Sequence, residues 1–365
     1  MTKKQGLRFV SFMLVLGMVL YALIRVFGMP TNKDTALGVM KRYNDFYDEP
    51  ENTWDCVMLG TSCVDRQWAA PLAWKEYGMT VYAMNTDVQP LYLTTSLLDE
   101  VRRTQDVKLA VVDVRGIRMD SLRPTEVRVR RVTDSMRFSV NKLKTIRKAI
   151  EFYKTYFSRD DVKDGQKYLD KLDEAAMYFS FLKYHSRWKE GLYKSDFIRP
   201  INDMKGIYEP ADAFHSEEVK PTNVISDVAE LNDLQQAVLD EIIEYGESTG
   251  LEILFTCAPS RVFESEQPEF NGAIKYLQEK GAKVINFNTD EKYEEIGLDF
   301  STDLYNAHHM NTKGAVKFTK YFAKYLQDNY HFEDKRGKEE YKEWDEAYDR
   351  YIKFFEKGWK DAEKQ

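Results

Sequence analysis

Five short apolar runs, at residues 55–59, 80–84, 108–114, 252–257 and 283–287, limit most tightly how this chain can fold. Several are apolar nearly throughout rather than alternating. That is the pattern of parallel strands buried on both faces. Parallel neighbours need a crossover between them. The segments 91–105 ("LYLTTSLLDEVRRTQ"), 226–248 and 266–280 read as helices that supply it, with Gly250 and Gly281 placed to end the last two. Strand alternating with helix predicts an α/β class. The expected architecture is a doubly wound, flavodoxin-like parallel sheet with flanking helices, a helical insertion and an N-terminal transmembrane helix. With 365 residues, 43% of them hydrophobic, the chain can fill one large domain of this kind or two smaller ones.

The alternation breaks between the third and fourth runs. Residues 116–223 carry Arg118, Arg123, Arg128, Arg130, Arg131 and Arg137, then the helical run "SVNKLKTIRKAIEFYKTYF" and the aromatic segment "YFSFLKYHSRWKEGLY". This reads as a largely helical insertion. Its arginines are either ion-paired surface or the lining of a groove for an anionic glycan or phosphate, groups that a guanidinium matches bidentately. From Asp334 the chain is dense in charge, and Tyr341, Trp344, Tyr348, Tyr351, Ile352 and Phe355 recur at helical spacing. That apolar stripe is expected to dock on the domain, with a partner or membrane surface as the alternative. The expected boundaries are an anchor over 1–30, an α/β domain over 31–333 and an amphipathic C-terminal helix over 334–365.

The N-terminus opens with Lys3, Lys4 and Arg8 and then runs without a charge from Phe9 to Ile24. About 20 apolar residues match the ~30 Å hydrocarbon core at 1.5 Å per residue. Basic residues before the span predict a cytoplasmic N-terminus, a single pass near residues 9–28 and an extracytoplasmic domain at the cell membrane. A cleaved signal peptide is the competitor, but the stretch Val26-Phe27-Gly28-Met29-Pro30 has no small-x-small cleavage pattern.

A net charge of −7 disfavours a general nucleic-acid binder. The three cysteines, Cys56, Cys63 and Cys257, make neither a disulfide framework nor a zinc site, and neither metal nor cofactor is expected. Aromatics at 14% suit a sugar-facing surface or a tyrosine-rich core.

The first apolar run ends in "LGTSC", which puts Ser62 at the carboxyl edge of the sheet, where open α/β sheets bind ligands. Ser62 is then either a helix N-cap or a nucleophile. At the other end of the chain Asp303, Asn306, His308, His309 and Asn311 precede a helix starting near Thr312. A loop there lies at the same edge of the sheet. It can bring a histidine base to Ser62 and a carboxylate to steady the imidazole.

Taken together, "LGTSC", "AWKEYGM" and "DLYNAHHMNTKGAVKF" resemble the SGNH/GDSL hydrolase superfamily. The nearer likeness is to its membrane-anchored extracytoplasmic branch, which includes teichoic-acid D-alanylation and alginate acetylation proteins. It covers roughly residues 50–115 and 225–328. The resemblance implies Ser62 as nucleophile, His309 as base with His308 as the adjacent alternative, and Asp303 as the acid. Many members keep their Asp two or three residues before the His, the place held here by Asn306. The superfamily's oxyanion-hole Gly is absent from "MNTDVQP" and its Asn from "VVDVRGIR", which leaves the Ser62 backbone N–H with groups near Asn85 or Arg115. The activity implied is a serine acyltransferase acting on O-acyl, chiefly acetyl, groups of a cell-envelope glycan or polymer, with a membrane-bound O-acyltransferase as partner. A carbohydrate esterase and a non-catalytic envelope-binding or assembly protein are the alternatives.

Overall fold

The computed structural model describes residues 2–27, 36–201, 203–207 and 226–362. Helices α1 (Lys3–Phe27) and α2 (Ala36–Asp48) lead into β1 (Cys56–Leu59), α3 (Ser62–Gln67), α4 (Ala70–Tyr77), β2 (Val81–Ala83), α5 (Thr94–Val101) and β3 (Leu109–Asp113). The stretch before the next strand carries α6 (Met119–Leu122), α7 (Glu126–Thr133), α8 (Val140–Phe157), α9 (Gly165–Leu169), α10 (Glu174–Tyr178) and α11 (Ser180–Tyr184). The alternation then resumes with α12 (Asp233–Thr249), β4 (Glu252–Cys257), α13 (Gln267–Glu279), β5 (Lys283–Asn286) and α14 (Asp290–Ile296). A two-stranded antiparallel ribbon, β6 (Leu304–Asn306) and β7 (His309–Met310), precedes α15 (Thr312–Tyr330) and α16 (Lys342–Ala362). The expected linker from Thr31 and the last part of the insertion fall outside the described residues.

The sheet is parallel throughout, in the order β2-β1-β3-β4-β5. Cys56 sits between Val81 and Leu109, and Met58 between Ala83 and Val111. Every residue of β1, β2 and β3 is buried, which is why these strands read as unbroken apolar runs. After β1 the chain steps outward to β2, then crosses back to β3 on the other side. Strand order therefore reverses between β1 and β3, and ligands of open sheets gather above such a point. Ser62 follows β1 and Arg115 follows β3, so both stand there.

Two glycines permit this geometry. A side chain at Gly60 would meet Asp113 Cβ at 2.7 Å, and one at Gly314 would meet the Asp303 carbonyl at 2.3 Å. Gly60 thus lets β1 turn into α3 against β3. Gly314 lets α15 start against the loop carrying the histidines.

The C-terminal stripe docks on the domain. α16 packs along α4, with Trp344 and Tyr351 buried and Trp74 Nε1 donating to Asp345 at 2.9 Å. Most of the insertion's arginines are spent internally. Arg128 donates to three carbonyls, Arg130 pairs with Glu126 at 2.7 Å, Arg137 pairs with Asp48 and Arg123 covers the Tyr168 ring. Helix α1, with a mean hydropathy of 2.3 over its most apolar window, is long and apolar enough to cross a membrane, a character that a signal sequence shares.

Candidate active site

Ser62 is the first residue of α3, and Thr61 holds the cap position without a side-chain cap bond. The Ser62 hydroxyl therefore does not cap the helix. Its Oγ lies 2.8 Å from Nε2 of His309, at the start of β7. The two residues are 247 positions apart in sequence, and the sheet's carboxyl edge brings them together.

The imidazole is oriented by Asn306. Its Oδ1 accepts the backbone N–H of His308 at 2.9 Å and of His309 at 3.0 Å, and it lies 3.0 Å from His309 Nδ1. An atom that accepts two backbone N–H groups is an oxygen, so Nδ1 carries the proton and donates to it. Nε2 is then unprotonated and accepts the Ser62 hydroxyl. Tyr305 stacks on the His309 ring, centroids 5.5 Å apart and planes within 10°, and Arg66 lies over Tyr305.

Asp303 does not take the role expected of it. Its carboxylate is fully buried, accepts from Lys317 Nζ at 2.6 Å, the Asp299 N–H at 2.8 Å and the Thr302 hydroxyl at 3.1 Å, and faces Lys313. Those partners staple the 299–303 turn to the first turns of α15. The ribbon reverses between Asn306 and His309, which turns the side chain three residues before the histidine, rather than the one six before, onto the ring. His308 packs edge-on against Phe263, and its carbonyl accepts the Cys63 thiol at 3.4 Å.

Asn85 is also reassigned. It is fully buried, and its Nδ2 donates to the Thr61 carbonyl at 3.1 Å, so it braces the turn before Ser62 instead of facing a substrate. Asn311, in turn, is the N-cap of α15, accepting from the Gly314 N–H at 3.0 Å. Arg115 stays at the edge. Its Nη1 donates to Cys63 Sγ at 3.1 Å and to the Ser260 hydroxyl, and its N–H donates to Asp113 Oδ1.

Burial dominates the electrostatics. It holds His309 well below its ordinary 6.5, at about 3, and the nearby charges of Arg66 and Arg115 push the same way. His308 is lowered by burial and then by Arg115. Burial raises the Cys63 thiol although Arg115 opposes it, so this cysteine lacks the lowered pKa of a reactive thiol. Asp113, under Arg115, is raised to about 6, again by burial first.

One contact had no sequence signal. Asp65, one turn past Ser62 on α3, pairs with Arg42 of α2 at 2.7 Å, both buried. Nothing in the local pattern around Arg42 marks a residue that reaches beneath the site. Among the described residues no cluster of His, Cys, Asp and Glu could hold a metal ion. No protein-family model matches the chain. No curated protein matches it either.

Proposed function

We propose that the chain is a membrane-tethered, extracytoplasmic serine acyltransferase or esterase that acts on O-acyl groups of a cell-envelope glycan or polymer. The observation that carries this reading is the 2.8 Å contact of Ser62 Oγ with His309 Nε2, with the histidine held in the tautomer of a base. In the proposed step Nε2 takes the Ser62 proton as Oγ attacks an acyl carbonyl. The tetrahedral intermediate collapses with cleavage of the ester C–O bond, and His309 returns the proton to the leaving oxygen. The acyl group then passes from Ser62 to an acceptor hydroxyl in transfer, or to water in hydrolysis. The Ser62 N–H, with Arg115 beside Cys63, is the assigned donor set for the oxyanion.

The tether and the side of the membrane are supported by α1 and by Lys3, Lys4 and Arg8 ahead of it. In this reading a membrane-bound O-acyltransferase delivers the acyl group. The second reading, a binding or assembly protein without catalysis, is favoured by Asn306. A neutral amide orients the imidazole but offers no charge to the imidazolium formed during proton transfer.

The full chain in detergent, assayed with p-nitrophenyl acetate with and without a glycan acceptor, separates these readings. Turnover that needs acceptor supports transfer, and turnover in water alone supports the esterase. Absence of any turnover dependent on Ser62 supports the binder. Protease added outside spheroplasts is expected to degrade the domain. Its survival would invert the topology.

A further inference from the structure

We infer that the aromatic segment of the insertion, residues 178–201, is a second membrane contact that seats the domain on the lipid headgroup layer beside α1. The inference rests on reading α1 as a membrane span. The segment touches α1 through α11 and the turns after it. Arg187 donates to the Val26 carbonyl and stacks over the Phe27 ring at 5.8 Å, so the contact lies at the last turn of α1. A helix of 25 residues is about 37 Å long at 1.5 Å per residue, longer than the ~30 Å hydrocarbon core. With the span near residues 9–28 filling that core, Val26 and Phe27 stand in its last turn, at the edge of the headgroup layer. Whatever packs on them stands there too.

What packs on them is unusually apolar for a protein surface. Phe179, Leu182, Trp188, Leu192, Phe197 and Ile198 are 48–65% exposed, and each lies on or within three residues of the turns that touch α1. Large apolar side chains clustered in so short a segment mark an interaction surface rather than scattered exposure. Its chemistry fits lipid. Tryptophan beside lysine is the interfacial pairing, and Lys189 sits over the Trp188 ring at 5.9 Å. Of the segment's five basic residues, Lys183 pairs with Glu126, Arg199 with Asp48 and Arg187 with Asp196, while Lys189 and Lys194 stand exposed. Those exposed charges suit anionic headgroups. Arg187 is itself buried in an ion pair with Asp196 at 2.7 Å, which makes the segment a built element rather than a loose loop.

The test places a polarity-sensitive fluorophore, one position at a time, on the full chain reconstituted in phosphatidylcholine–phosphatidylglycerol vesicles. The positions are Leu192→Cys and Phe197→Cys in the patch, Leu14→Cys in α1 and Lys275→Cys on the exposed face of α13. The three native cysteines are buried. Spin-labelled lipids quenching near the headgroup are expected to dim positions 192 and 197 about twofold or more, lipids quenching deep in the acyl chains to dim position 14, and neither to dim position 275. If positions 192 and 197 behave like 275 while 14 is quenched, α1 spans but the patch faces water or a protein, and the inference is overturned. If position 14 also stays unquenched, the span itself fails and the inference falls with it.

Discussion

Asp303 and Asn306 stand three residues apart in one loop, and the structure gives them opposite surroundings. Asp303 is buried in a cluster of donors from Lys317, Asp299 and Thr302. Asn306, half-buried, is the hub on which His308 and His309 hang by their backbones and His309 by its ring. The charged side chain does structural work, and the neutral one faces the imidazole. Backbone reversal decides which side chain reaches a ring. The chemistry of that side chain then decides what the ring can do. An acceptor three residues back across a tight ribbon reaches Nδ1, and one six back reaches the next helix.

The largest effect expected from this contrast is on the other side of the imidazole. Ser62→Ala should lower Ser62-dependent turnover by ~10³-fold or more, with thermal unfolding unchanged, because a half-buried hydroxyl is lost without a cavity of consequence. Steady-state kinetics beside calorimetry check both halves. Next comes Asp303→Ala. It leaves Lys317 and two other donors without their buried acceptor, so a loss of about 3 kcal/mol in urea unfolding is expected, with kcat of the surviving folded fraction within a few-fold of the parent. A collapse of kcat with unchanged stability would reverse the roles given to Asp303 and Asn306. Asn306→Ala should do the converse, losing ~10-fold or more in kcat while the Asp303 cluster persists.

The subtlest expectation concerns pH. His309 is held at about 3 by burial and by nearby arginines. On the proposed mechanism the imidazole stays unprotonated well below 6.5, and kcat/KM should stay flat as pH falls through that value. Because the folded state binds this proton less readily than the unfolded chain, the contribution of His309 to stability is complete above the ordinary 6.5 and is lost as pH falls towards 3. Asn306→Asp places an anion beside Nδ1 and should raise the histidine. The acid limb of the rate profile would then appear nearer neutrality. A profile unmoved by that substitution would show that the side chain at 306 does not govern the ring.

Much of this arrangement was legible in the sequence. Unbroken apolar runs between helical stretches specify a buried parallel sheet. An apolar run ending in Gly-Thr-Ser places Ser62 on its carboxyl edge. The loop before the last helix of the doubly wound unit had to lie at the same edge, which is how His309 and Ser62 could be paired across most of the chain. The acid position was legible only as a choice between Asp303 and Asn306, because which of them reaches the ring depends on the course of the ribbon over residues 304–310. Charge made Asp303 the obvious choice, and geometry chose the neutral residue. Arg42 under Asp65 was hidden, and the aromatic segment after α10 was visible while its exposure was not. Each depends on which distant surfaces meet, and neither has a local period.

The pairing of Ser62 with His309 as nucleophile and base is the claim on which the rest depends, and trapping the acyl-enzyme tests it most directly. The full chain is quenched in acid during turnover of p-nitrophenyl acetate, digested and analysed by mass spectrometry. One acetyl group on the peptide carrying Ser62 is expected, absent in Ser62→Ala and strongly reduced in His309→Ala. An acetyl group on Cys63 or on a surface lysine, or label on Ser62 that persists undiminished in His309→Ala, would contradict it.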